Sequence, residues 1–173
     1  MNKKNLSINK TFELAVENQQ KGNLKVAEKL YQEILKADPN HIASYNNLGQ
    51  LFQELREHNK AKNYYEKALQ INPNHPITYN NLGVLFYNLK DYQKAKNHYE
   101  KAIQLDPNYV DALSNIGGIL IKIGKFQEAK SYYEKAIQIK PNHADAHYNL
   151  GVVFKALGEY QKAINCYEKA IQI

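Results

Sequence analysis

Proline sets the frame of this chain. Pro39, Pro73, Pro107 and Pro141 lie 34 residues apart, each inside a short stop: "DPNH", "NPNH", "DPNY" and "KPNH". Proline cannot continue a helix, and Asn or Asp beside it favours a turn. A chain punctuated this regularly is built from like segments. The fifth proline, Pro76, follows His75 and suits the first position of a helix, where its missing N–H costs nothing.

Counting from one after each stop gives five repeats, 8–41, 42–75, 76–109, 110–143 and 144–173, behind an N-terminal tail of residues 1–7. Position 7 is Leu14, Leu48, Leu82, Ile116 and Leu150, and position 8 is Ala15, Gly49, Gly83, Gly117 and Gly151. Position 20 is always alanine (Ala27, Ala61, Ala95, Ala129, Ala163) and position 24 always tyrosine (Tyr31, Tyr65, Tyr99, Tyr133, Tyr167). Position 27 is Ile34, then Ala68, Ala102, Ala136 and Ala170. Small residues at 8, 20 and 27 let two helices approach closely, and large ones at 7, 11 and 24 fill the spaces between layers. Near position 15, at "REHN", "KDYQ", "GKFQ" and "GEYQ", the first helix of each repeat ends and the second begins.

Five repeats of 34 residues with Leu-Gly at 7–8, Ala at 20, an aromatic at 24, Ala at 27 and Pro at 32 resemble the tetratricopeptide repeat, TPR. The resemblance covers residues 8–173. It implies an all-α, right-handed α-solenoid of five stacked helix-turn-helix units, with helix A of each repeat lining the concave side. Position 4, often Trp in the family, departs: it is Thr11, Tyr45, Tyr79, Leu113 and His147. The first repeat is the least regular, with Asn18 at position 11 and Ile34 at position 27, which suits a terminal repeat with one neighbour.

On a helical wheel, positions 4, 7, 8 and 11 of helix A form one apolar arc. Positions 3, 10 and 14 extend it, with Leu51, Leu85, Ile119 and Val153 at 10 and Leu55, Leu89, Ile123 and Leu157 at 14. Positions 2, 5, 6, 9, 12 and 13 remain free and are expected to form the concave surface. Position 6 is Asn47, Asn81, Asn115 and Asn149, with Glu13 in the first repeat; position 5 adds Asn46 and Asn80, then Ser114 and Tyr148. Stacked helices lie about 8–10 Å apart, and an extended strand advances about 3.3 Å per residue. One asparagine would therefore meet every third residue of a bound peptide. A carboxamide both donates and accepts, so it can hold a peptide N–H and C=O whatever the side chain. The arrangement resembles the asparagine ladders of TPR superhelices, including the array preceding the catalytic domain of O-linked N-acetylglucosamine transferases. A plainer reading also stands: Asn is a tolerable polar residue on an exposed helix face, inherited by duplication. Val84, Tyr87, Ile121, Tyr148 and Val152 add apolar contact, Asp111 and Asp145 sit at position 2, and Lys122 and Lys155 lie at 13 and 12. The TPR clamp for C-terminal carboxylates needs lysine at position 5, where this chain has Phe12, Asn46, Asn80, Ser114 and Tyr148.

The formal charge of +6 is a mild excess, and the lysines mostly accompany Glu, as in "YYEKALQ", "HYEKAIQ" and "CYEKAIQ". That is a solvated face of ion pairs rather than a nucleic-acid groove. Cys166, the one cysteine, rules out an internal disulfide and reads as a packed thiol. "MNKKNLSINK" lacks the apolar run of a secretory signal, and no stretch of 18 apolar residues exists, so a cytoplasmic protein without membrane insertion is expected. His41, His75 and His143 recur at position 34, layers apart, and read as loop residues rather than metal ligands. No catalytic triad, phosphate loop, metal site or cofactor motif is visible.

The sequence thus points to a non-catalytic module binding an extended polypeptide. One alternative is the substrate-recruiting region of a larger enzyme such as a glycosyltransferase; the chain stops at position 30 of a repeat, before its proline, which favours truncation or continuation. Another is a scaffold that self-associates through the uncapped C-terminal helix.

Overall fold

The computed structural model describes residues 3–173, which form ten helices joined by short turns, with no strand among the described residues. They are α1 (Lys3–Gln20), α2 (Leu24–Ala37), α3 (Ile42–Glu54), α4 (His58–Ile71) and α5 (Pro76–Asn88), then α6 (Tyr92–Leu105), α7 (Val110–Lys122), α8 (Phe126–Ile139), α9 (Ala144–Ala156) and α10 (Tyr160–Gln172). Odd-numbered helices are the A helices of the repeats and even-numbered ones the B helices. The helix α1 begins at Lys3, inside the stretch read from sequence as a tail.

The stops work as the prolines demand. Asp38, Asn72 and Asp106 precede a proline and take extended backbone, as that position requires. Their side-chain Oδ1 atoms accept from the N–H two residues on, at Asn40 (3.1 Å), Asn74 (3.0 Å) and Asn108 (3.0 Å). The histidines that follow start the next A helix. Nδ1 of His41, His75 and His143 accepts from the backbone N–H of Ser44, Thr78 and Ala146 at 3.2, 3.3 and 3.2 Å. They are N-caps, a role read from sequence only as loop.

Between helices A and B the chain turns through a left-handed residue at position 15 of every repeat. Gly22, Gly124 and Gly158 take φ of 77°, 76° and 80° there, and Arg56 and Lys90 take 60° and 62°. Glycine adopts this backbone freely, while a side chain adopts it under strain.

The chain divides into two compact halves, Met1–Leu85 and Phe86–Ile173, with the boundary inside α5. In the first, α1 packs on α2 and α3, and α3 on α2 and α4. In the second, α7 packs on α6, α8 and α9, and α9 on α8 and α10. The residues at position 20 are buried in all five repeats, and the tyrosines at 24 are buried in repeats one to four. The glycine at position 8 is what admits the tyrosine: a Cβ on Gly117 would stand 2.6 Å from the Tyr133 ring, and one on Gly151 2.6 Å from Tyr167.

Two packing expectations need correction. Position 14 does not belong to the apolar arc, since Leu55, Leu89 and Ile123 are exposed. It shares its wheel angle with position 7, but it falls at or beyond the last helical turn, where Leu55, Ile123 and Leu157 are C-caps. Leu14, at position 7 of the first repeat, is exposed too, because α2 and α3 leave its side of α1 uncovered.

Candidate functional site

The uncovered part of each A helix is narrower than the wheel suggests. Positions 2, 6, 9 and 13 are spaced four, three and four apart and so share one stripe. Ala43, Ile77, Asp111 and Asp145 at position 2 are exposed, as are Glu54, Asn88, Lys122 and Ala156 at position 13. At position 6, Asn47, Asn115 and Asn149 are half-buried.

Three of the asparagines expected on the free face are buried instead: Asn46 is 4% exposed, Asn80 7% and Asn81 7%. Position 5 lies at the edge of the arc, and in repeat two the Asn81 side chain of the next layer closes over it. Asn46 Nδ2 donates back to the Ile42 carbonyl at 3.2 Å, and Asn81 Nδ2 donates to Asn46 Oδ1 at 3.2 Å. One asparagine at position 5 and one at position 6 of the following repeat thus form a buried rung between layers.

Asn47 makes a different rung. Its Nδ2 donates to the Tyr31 hydroxyl at 3.0 Å, the hydroxyl donates to Gln19 Oε1 at 3.0 Å, and Gln19 Nε2 donates to Glu54 Oε1 at 2.9 Å. Burial pushes the Tyr31 phenol up, and the bond from Asn47 pulls it partway back. The second repeat repeats the inner step, with the Tyr65 hydroxyl donating to Gln53 Oε1 at 3.1 Å. Gln19 and Gln53 stand at position 12, beneath the stripe. Sequence reasoning passed over them; the signal was a glutamine twelve residues before the tyrosine in both repeats.

The second half carries the rest. Lys122 Nζ lies 6.0 Å from the centroid of the half-buried Tyr87 ring, which meets Tyr92 edge-on at 5.5 Å. Ile121 and Val152 are half-buried and Lys155 is exposed. Val84, in the first half, is half-buried. Tyr148 is exposed and tilts against Tyr167 at 5.5 Å. With Ala144, Asp145, Ala170 and Ile171 these two rings line a cavity of about 340 Å³ between α9 and α10. The structure therefore groups Tyr87 with Lys122, and sets Tyr148 in a pocket of its own. Among the described residues no three His, Cys, Asp or Glu side chains converge as a metal site would.

Family models for the tetratricopeptide repeat match residues 42–75, 76–109 and 108–173. The chain is a tetratricopeptide repeat protein. TPR arrays are protein–protein interaction modules. Comparison with curated proteins gives no match. Among solved structures, this TPR chain is similar to MamA, at 26% identity and a TM-score of 0.73 over 91% of this chain and 92% of that one. It shares the fold of PilF from Pseudomonas aeruginosa, at 24% identity and a TM-score of 0.88 over 99% and 78% of the two chains. It also shares the fold of YrrB, described as a TPR protein with an unusual peptide-binding site, at 24% identity and a TM-score of 0.65 over 99% and 92%. No helix of the described residues is long and apolar enough to cross a membrane.

Proposed function

We propose that this TPR protein is a non-catalytic module that holds an extended polypeptide along the A-helix stripe. The observation that carries the reading is the stripe itself. Packing buries much of each A helix, yet leaves half-buried carboxamides at Asn47 in the first half and at Asn115 and Asn149 in the second, with exposed Asp111 and Lys122 on the same helix as Asn115. Asn47 spends one N–H on Tyr31 and keeps its oxygen as an acceptor. Asn46 and Asn81 act from below by joining two layers, and Val84, Tyr87, Tyr148 and Lys155 supply side-chain contacts. The peptide-binding site named for YrrB, on the same fold, is in keeping with this use. The partner is protein rather than nucleic acid, and the setting is the cytoplasm.

Peptides selected from a random-sequence library against the intact chain test this. Asn149→Ala should weaken them roughly five- to tenfold, one lost hydrogen bond, with the melting temperature unchanged. Equal affinity for Asn149→Ala, and for Asn47→Ala, would remove the carboxamides from the binding face.

A second reading rests on the cavity at α9 and α10. Ile171 is 85% exposed and Ile173, Ile164 and Tyr160 are exposed beside it. An uncovered apolar face of this kind favours association of one copy with another.

A further inference from the structure

The helix α10 departs from the other B helices. It reads "YQKAINC" and then "YEKAIQI" if Ile173 is included, with Tyr, Ala and Ile at the same places in each run of seven. Tyr160, Ile164, Tyr167 and Ile171 thus recur four, three and four residues apart and share one stripe. Tyr160 is 67% exposed, Ile164 48% and Ile171 85%, while Tyr167 is half-buried. At the places of Tyr160 and Ile171 the four earlier repeats are half-buried. Ile164 is the exceptional residue. Its position, 21, is Glu28, Lys62, Lys96 and Lys130 in those repeats. Each of the lysines pairs with the glutamate four residues on, at 3.3, 3.4 and 3.7 Å. The last repeat keeps that glutamate, Glu168, but sets an exposed isoleucine where the lysine stands.

The first A helix departs in the opposite sense. In repeats two to five, position 3 is small and positions 7 and 10 are aliphatic, as at Ser44, Leu48 and Leu51, and all are buried. In α1 these positions are Lys10, Leu14 and Glu17, all exposed, and Glu17 pairs with Lys21. Setting this face of α1 on an apolar helix would take charges out of water with no partner to meet them. The α10 stripe therefore finds no match on the α1 of another copy. It does find one on another α10, which carries the same seven-residue pattern. Contact about a two-fold axis needs one surface that holds both a projection and a hollow. Here Ile171 projects, and beside it Ala144, Tyr148, Tyr167 and Ala170 line the cavity of about 340 Å³.

We propose that two copies of this chain pair α10 against α10 about a two-fold axis, the stripe of Tyr160, Ile164, Tyr167 and Ile171 on one facing the same stripe on the other. The pair is closed. It uses the apolar stripe of both copies and leaves α1 in water, so it does not continue into a row of chains. The pairing rests on the reading that copies associate through the face at α9 and α10; it adds which surfaces meet and how many copies the contact admits.

Sedimentation equilibrium of the intact chain over a range of concentrations tests this, with the mass expected to level at two copies. Ile164→Lys restores the residue that repeats two to four carry, and Tyr160→Gln interrupts the stripe at its start. Each should raise the dimer Kd roughly tenfold or more, with the melting temperature of the dilute protein unchanged. Tyr160→Gln decides the matter should Ile164→Lys lower that temperature. Leu14→Lys, on α1, should leave the Kd as it is. If the α10 variants do not change the Kd, copies meet elsewhere and the pairing falls, while association itself stands. If the mass climbs past two copies, or Leu14→Lys loosens the contact as Ile164→Lys does, the contact runs from α10 to α1 and the pairing is overturned in the same way. A monomer at every concentration removes association, and the pairing with it.

Discussion

Side chains in this protein are best judged by the hydrogen bonds they leave behind when removed. Asn81 donates to Asn46 in a buried rung, so Asn81→Ala strands the Asn46 oxygen away from water. We expect a loss of about 1 kcal/mol in denaturant unfolding, although alanine is the better helix former. An exposed asparagine at that position would give no loss. Arg56 and Lys90 occupy the left-handed position that glycine holds in the other three repeats. Arg56→Gly and Lys90→Gly each relieve strain of about 1–2 kcal/mol and give back part of it as unfolded-chain entropy. Each should raise Tm by roughly 1–4 °C, and a fall in Tm would mean that the long side chains stabilise the turn in another way.

Elements begin and end where a few polar contacts allow. The α5 start depends on His75 Nδ1, which accepts from the Thr78 N–H at 3.3 Å and lies 2.9 Å from the Thr78 hydroxyl. Burial lowers the His75 pKa, so the fold favours the neutral, accepting ring. Stability from this group is present above the unfolded value of about 6.5 and is lost as pH falls through the lowered folded value. His98, stacked on Phe86 at 5.2 Å and likewise lowered by burial, adds to the same trend. Thermal melts between pH 7.5 and 5 should fall with pH. His75→Asn keeps a capping acceptor without a titrating ring, and should flatten that slope without cost at neutral pH; an unchanged slope would clear His75 of the effect. Much of this element structure was legible beforehand. The proline period, the invariant Ala and Tyr and the glycine at position 8 are each forced by chain geometry, so they place the helix pairs and their contact faces. What stayed hidden depends on neighbours. A wheel treats α3 as an endless cylinder, so it put Leu55 in the core although the helix stops there. It also put Asn46 outside, because the layer that buries it belongs to the next repeat. The same blindness covers Tyr133, whose hydroxyl has no partner where position 12 of its repeat is Ile121 rather than glutamine.

At the scale of the molecule the uncovered face of α10 carries the clearest expectation. Sedimentation at high protein concentration should show association, and Ile171→Lys with Ile173→Lys should abolish it; a monomer before and after would mean that water tolerates this apolar surface. The pattern of packing has a consequence of another kind. Within each half, helices touch only partners one or two places along the chain. Stability in such a stack is a sum of neighbour terms. A repeat can then be gained or lost without rewriting the others. The reach of the molecule is accordingly a quantity that evolution can adjust by counting: each added set of 34 residues brings one more A-helix stripe, and a longer partner is met by a longer row.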